Sequence, residues 1–191
     1  LPVYARDILM VGPDGLGQLR AAPAIGASVV ALMLTFRPLR HNVGAKMLWA
    51  VVVFGIATIG FGLSHEIGTH VFGDARIGFL NMGAGMAVAL IMLIILGASD
   101  MLSVYVRSSL VQLNTPDEMR GRVSSVSGLA ISASNELGEL QSGVAAAMLG
   151  PVCAVVFGGA GAIFVTAIWA GLFPELKNAR TFEPQYRGKS P

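Results

Sequence analysis

The sequence predicts an all-α membrane protein on three observations: an excess of apolar residues, four long stretches without charge, and no strand-like alternation. Of 191 residues, 54% are hydrophobic and 13% charged, with a mean hydropathy of +0.68. A water-soluble globule of this size has no interior large enough to hide that much apolar surface. Ala21 to Phe36, Met47 to Ser64, Ile77 to Ser99 and Leu140 to Phe173 contain no Asp, Glu, Lys or Arg. A bilayer core about 30 Å thick is crossed by about 20 helical residues. Each stretch reaches that length with its flanks, and the last is long enough for two spans. Lipid offers the backbone no hydrogen bonds, which leaves helices or a closed barrel. A barrel would show segments of about ten residues alternating apolar and polar, whereas Met86 to Gly97 is apolar on every side.

The chain opens on Leu1-Pro2-Val3-Tyr4-Ala5-Arg6-Asp7, which reads as the end of an apolar segment followed by a polar loop. There is no initiator Met, and no charged region followed by a small-residue cleavage site marks a signal peptide. The expectation is a chain missing its N-terminal portion. Breakers and charges then place five transmembrane helices, at Gly15 to Phe36, Ala45 to Ser64, Gly78 to Leu113, Arg122 to Leu149 and Pro151 to Phe173. They form one helical bundle over residues 1–176, followed by a tail over 177–191. The third helix is long for one span, so it either extends beyond the bilayer or breaks near Gly83 and Gly85. Gly150-Pro151 is the only punctuation between the fourth and fifth, which makes a tight hairpin. Gly158, Gly159 and Gly161 would let helices approach closely. No strand precedes them, which argues against a phosphate-binding loop.

Orientation follows from the basic residues, because loops rich in Lys and Arg stay on the cytoplasmic side. One side holds Arg37, Arg40, Lys46, Arg120, Arg122, Lys177, Arg180, Arg187 and Lys189. The other holds Arg6, Arg20 and Arg76, and Arg107 falls inside a helix. The C-terminal tail is therefore expected in the cytoplasm and Leu1 outside. An odd number of spans from an external end fits one more helix upstream. Trp49 and Trp169 fall near the cytoplasmic interface, and Arg20 sits where its head can reach the outer one.

Ionisable groups within hydrocarbon cost at least about 2.5 kcal/mol each on insertion scales, so they face protein or water. Asp100, Arg107, Glu136 and Glu139 are the ones that matter here. At 100° per residue Asp100, Ser103, Val104 and Arg107 share one face of the third helix. Gly128, Ser132, Asn135, Glu136, Glu139 and Gly143 form one stripe of the fourth, with Gln141 opposite. Counted from the loop at Asn114 to Gly121, Asp100 and Glu136 lie at matched depth, roughly 21 Å along their helices. Arg107 lies nearer the cytoplasm and does not reach Glu136 without tilt or sliding. Two readings stand side by side: a polar path or cation-handling site at the membrane middle, or a buried network that locks two helices together. Glu139, nearer the outside, fits a gate or a solvated mouth.

Enzymatic chemistry finds little support. His65, Glu66 and His70 resemble a zinc-protease pattern, but the histidines are five apart in an expected loop, about 140° apart on any helix. No Ser, Cys or His constellation supplies a nucleophile and base at matched depth. Cys153 stands alone between Val152 and Ala154, which excludes an internal disulfide and reads as a small apolar residue. The net charge of +2 is spread over loops with no basic-aromatic patch, which argues against nucleic acid. No metal or cofactor is expected.

The loop Thr115-Pro116-Asp117-Glu118-Met119-Arg120-Gly121-Arg122-Val123-Ser124-Ser125-Val126, followed by Ser134-Asn135-Glu136-Leu137-Gly138-Glu139, resembles the major facilitator superfamily. Within it the chain is most similar to the bacterial branch that includes the enterobactin exporter. In that family a similar loop lies on the cytoplasmic side between the tenth and eleventh helices. The opening residues, with Leu19-Arg20-Ala21-Ala22-Pro23, resemble the end of the seventh helix and the eighth. The resemblance implies that the five helices are numbers eight to twelve of a twelve-helix fold, after the end of a preceding one. It further implies a transporter of the bacterial inner membrane that works with a missing N-terminal half. Its cargo would be a small siderophore- or drug-like molecule, its export driven by the proton gradient.

The residues implied for pathway or proton coupling are Asp100, Arg107, Ser132, Asn135, Glu136 and Glu139, since burial raises a carboxylate's pKa toward neutrality. Phe36 to Gly44 stands where the superfamily repeats a loop motif containing an Asp, and this chain lacks that Asp. Asp117, Glu118, Arg120, Gly121 and Arg122 would form a cytoplasmic gating loop. The acids could hold the basic loop in one state and release it in another, or merely cap a helix whose N-terminus favours anions. A non-transporting membrane scaffold with structural acids is the rival expectation.

Overall fold

A computed structural model describes residues 2–39, 42–72, 76–77 and 82–172 of the chain. Among these residues seven helices follow one another: α1 (Pro2–Asp7), α2 (Pro13–Phe36), α3 (Val43–Gly62), α4 (Ser64–Phe72), α5 (Ala84–Leu113), α6 (Arg120–Leu149) and α7 (Pro151–Leu172). Between α4 and α5 two short strands, β1 (Arg76–Ile77) and β2 (Met82–Gly83), pair antiparallel, Arg76 opposite Gly83. That two-rung ladder is a small departure from the expected all-α chain.

Four helices, α2, α3, α5 and α7, are long and apolar enough to cross a membrane. The fifth expected span, α6, has 30 residues and therefore ample length. It falls short in apolarity, because Glu136, Glu139, Asn135 and its serines interrupt the hydrophobic run. Two more expectations are corrected nearby. The third expected helix, placed from Gly78, begins instead at Ala84 with Gly83 as its cap, so the helical run stops at Gly83, as one of the two expectations had it, whereas Gly85 lies inside an unbroken helix to Leu113. The segment with His65 and His70 is helix α4, where a loop was expected. The tail at 177–191 lies outside the described residues.

Local chemistry explains most of the boundaries. Pro13 opens α2, where its missing N–H costs nothing, and Asp14 sits in the first turn beside the positive end of the helix dipole. Gly150, at φ 84°, turns the chain between α6 and α7, a left-handed conformation that suits glycine. Pro151 then starts α7. Inside the apolar helices, hydroxyls bond back to their own backbone: Thr58 to the Phe54 carbonyl at 2.8 Å, Ser99 to Ile95 at 2.8 Å, and Thr166 to Ala162 at 2.7 Å. Such groups need no partner from solvent.

Helix α5 is the hub. It packs against α2, α3 and α4, while α3 also packs against α7. Apolar solvent gives helices little reason to associate, so close backbone contact through small residues has to supply the attraction. At the α2–α5 crossing a Cβ on Gly97 would overlap the Pro23 carbonyl, and one on Gly26 would overlap the Ile94 carbonyl. At the α3–α7 crossing a Cβ on Gly159 would sit 2.7 Å from the Gly55 carbonyl oxygen. Of the three glycines expected to allow close approach, only Gly159 does so; Gly158 and Gly161 face open space.

The core gathers at one end of the bundle, where Tyr4, Leu19, Phe61, Met86 and Leu93 cluster and Val152 and Val155 of α7 lean against them. Elsewhere large apolar side chains point outward: Leu32, Met33, Phe36, Trp49, Ile56, Phe157 and Phe164 are all exposed. An apolar surface so continuous suits a bilayer and not water.

Candidate functional site

The expected site residues lie on α5, α6 and the loop between them. On α5, Ser103 is buried whereas Asp100 and Arg107, on the same face, are exposed. On α6, Ser132, Asn135, Glu136 and Glu139 are all exposed, as is nearly every other residue of the helix. No residue of α6 is buried, and its substantial packing is confined to α7. The described residues therefore do not bring Asp100 and Glu136 into a shared interior. Both stand on the surface of this chain, and neither belongs to a buried ion-pair network among the described residues.

Helix α6 has three distinguishable faces. Val123, Ser127 and Ala145 are half-covered and mark the side toward the bundle, while Ala146, also half-covered, falls between Asn135 and Glu139 on the helical wheel. Val126, Leu129, Leu137, Leu140 and Val144 form an apolar stripe. The stripe through Ser132, Asn135, Glu136 and Glu139 lies roughly 130° from the side centred on Ser127 and Ala145, counting 100° per residue. The four polar side chains are thus exposed and centred off the covered side, with Ala146 the half-covered position among them.

Arg107 lies in a cleft of about 380 Å³ where α5 and α6 diverge from their connecting loop, together with Ser108, Gln112, Ser124, Ser127 and Gly128. Glu136 is not part of that cleft, in keeping with the mismatch in depth expected from the sequence.

The connecting loop is compact. Thr115 is buried and its hydroxyl donates to the Val111 carbonyl at 2.6 Å, while the Asn114 amide donates to Leu110 at 2.9 Å, so both extend the end of α5. The Met119 N–H donates to the Pro116 carbonyl at 3.0 Å, closing a turn. Arg120, which begins α6, pairs with Asp117 at 2.7 Å. Both side chains are solvent-accessible, and an exposed pair of this kind stabilises by at most about 1 kcal/mol. Glu118, Gly121 and Arg122 are exposed. Of the two acids expected to act on the basic loop, Asp117 pairs with Arg120 at the start of α6, an arrangement that a helix cap and a gate share.

His65 and His70 are exposed on α4, and five residues along a helix still separates them by about 140°. Arg20 is exposed on α2, and Cys153 is exposed on α7.

One polar cluster escaped the sequence reading. The Tyr4 hydroxyl lies 2.9 Å from the Phe61 carbonyl, 2.8 Å from the Gly62 carbonyl and 3.2 Å from the Ser64 hydroxyl, with all partners buried. Its ring lies against Phe61 with centroids 4.6 Å apart. The cluster caps the last turn of α3 with a residue sixty positions away, and no local pattern announces such a pairing. Arg6 and Asp7, beyond Ala5 at the end of α1, form an exposed pair at 2.6 Å. The hydrogen bond from Arg6 holds the Asp7 carboxyl below the ordinary carboxylate range.

Compared with known proteins, the chain matches no family model, no curated protein and no solved structure.

Proposed function

We propose that this chain is part of a secondary transporter of the bacterial inner membrane, with α6 as a fifth span whose polar stripe borders the pathway. The observation that carries the reading is the stripe itself. Helix α6 is as long as α5, 30 residues each, and follows it through a tight loop, so both run the same depth. Two carboxylates and an amide on its uncovered face would cost several kcal/mol against lipid tails. That face has to meet water or another protein. A second helical bundle placed against it, with water between, meets both demands and puts cargo between two halves.

The resemblance of the 115–139 segment to the major facilitator superfamily supports the same arrangement. It adds a small-molecule cargo of siderophore or drug type, export driven by protons, and a cytoplasmic C-terminus. In this reading Glu136 is the proton-handling group, with Ser132 and Asn135 beside it and Glu139 toward the outer mouth. Asp100 and Arg107 are the polar groups that α5 contributes on its own exposed face, apart from the Glu136 stripe, and Asp117 with Arg120 tie the cytoplasmic loop.

A membrane scaffold whose α6 docks a cation-bearing partner helix is the second reading, and the same uncovered stripe favours it over an enzyme. The substitution Glu136→Gln, which removes charge and keeps size, separates the two in the full-length protein. Under the transport reading the variant accumulates normally and loses pH-driven efflux. Under the scaffold reading it loses its partner or its stability, because the partner's cation is left unpaired in a low-dielectric setting. Normal efflux with unchanged pH dependence would overturn the transport role of Glu136.

A further inference from the structure

We propose that the groove between α2, α3 and α5 holds one anionic phospholipid, its headgroup at Lys46 and Asn42 and an acyl chain along Trp49 and Val53. The proposal rests on α2, α3 and α5 being membrane spans and needs no transport activity. The groove has a volume of about 560 Å³, within the usual range for a small-molecule site.

The groove's lining is sorted by chemistry along its length. Asn42, just before α3, and Lys46, one turn on, mark the polar end. Beyond them come Trp49 and Val53, faced by Val30 of α2 and Leu102 of α5. Positions 42, 46, 49 and 53 share one face of α3 and span about 16 Å along its axis. A channel that is cationic at one end and apolar for the rest has the outline of a lipid, headgroup first.

Charge selects which lipid. Among the described residues that line the groove Lys46 is the one ionisable residue, and no carboxylate joins it. Among the described residues Lys46 forms no ion pair, and Asn42 makes no side-chain cap bond to α3. A headgroup phosphate would therefore meet an ammonium without an ion pair among the described residues and an amide that makes no cap bond to α3. The deeper wall offers no competing polar group, because the Ser99 hydroxyl is already bonded to the Ile95 carbonyl at 2.8 Å. Trp49 is 68% exposed and stands where the polar and apolar parts meet, the level at which an indole is favoured in a membrane. Basic pockets between spanning helices on the cytoplasmic side are suited to acidic headgroups, and this is the side that the basic loops assign to Lys46. A second copy of the chain is a poorer occupant, since it would bring a like-charged Lys46 end against this one.

The test is native mass spectrometry of the full chain in detergent, with phosphatidylglycerol and phosphatidylcholine of identical acyl chains. Wild type should retain phosphatidylglycerol about fivefold better, the ratio that one cation near an anionic headgroup supplies. Lys46→Gln should remove that preference and Lys46→Arg should keep it. Ala98→Phe, which fills the groove wall and leaves the charge, should reduce retention of both lipids. Helicity and melting temperature certify that each variant is folded. Equal retention of the two lipids by wild type would overturn the proposal, as would an unchanged preference in folded Lys46→Gln. A disulfide dimer of Trp49→Cys in a Cys153→Ala background that excludes phosphatidylglycerol would assign the groove to a second copy and overturn it too. Loss of efflux in Glu136→Gln leaves these lipid readings untouched, so the two proposals fail separately.

Discussion

Replacing Tyr4 by Phe removes one oxygen from the most completely buried polar cluster in the described chain, where Tyr4 is 3% exposed and Ser64 is 0% exposed. A phenol has one hydrogen, so it donates to the Phe61 and Gly62 carbonyls as a shared bond, 2.9 and 2.8 Å away, and accepts from the Ser64 hydroxyl at 3.2 Å. The Phe61 carbonyl keeps a second donor, the Leu63 N–H. Tyr4→Phe therefore strips the donor from the Gly62 carbonyl and the acceptor from Ser64, and leaves the ring contact with Phe61 intact. Burying unsatisfied groups of this kind costs about 1 to 3 kcal/mol. For a chain of this length each kcal/mol lowers the melting temperature by about 2 to 4 °C. The assay is thermal unfolding of the detergent-solubilised protein, run beside Ser64→Ala and the double variant. Tyr4→Phe should melt several degrees lower, and the double variant should melt higher than the sum of the two losses predicts, because both changes remove one shared bond. A Tyr4→Phe protein that melts with wild type, or losses that simply add, would refute the cluster as a staple between α1 and the end of α3.

Gly97→Ala should cost about 1 to 3 kcal/mol by forcing α2 and α5 apart, whereas Gly158→Ala, where a Cβ meets nothing within 4 Å, should melt like wild type; equal effects would sink the backbone-contact account of the α2–α5 crossing. In a Cys153→Ala background, Glu66→Cys should react with an impermeant thiol reagent added to sealed cells and Asp117→Cys should not; the reverse pattern would refute the orientation drawn from the basic loops.

Helix placement was legible because it depends on local facts. The charge-free stretches, Gly150 and Pro151 located the spans and the point where α6 gives way to α7, and the helix ends at Phe36, Leu113 and Leu149 fall where the sequence puts them, while α2 begins at Pro13, two residues before the expected Gly15. Short-range signals failed where two effects compete. His65 to Phe72 carries His, Glu and Thr and reads as a polar loop. It nonetheless winds into α4, because Gly68 allows its backbone to lie directly on α5 at Gly85. The same holds for Gly26 and Gly97: glycine abundance announces close packing, and only the crossing geometry says which glycines are used.

The candidate site was legible as a pattern and not as an interior. Spacing along α6 correctly collected Ser132, Asn135, Glu136 and Glu139 onto one stripe, since helical periodicity is a local property. What covers that stripe depends on other helices. Asp100 and Glu136 lie at similar depth because α5 and α6 leave one short loop, yet equal depth on two helices does not make them neighbours when the helices diverge, as the cleft at Arg107 shows they do. The apolar stripe of Val126, Leu129, Leu137 and Leu140 suits lipid, the side at Ser127 and Ala145 meets the bundle, and the acidic stripe suits neither. A helix with three such faces has one that only water or a polar partner can satisfy, and if α6 spans the membrane as proposed, the energetic cost of leaving two carboxylates against hydrocarbon makes it the place to test for activity.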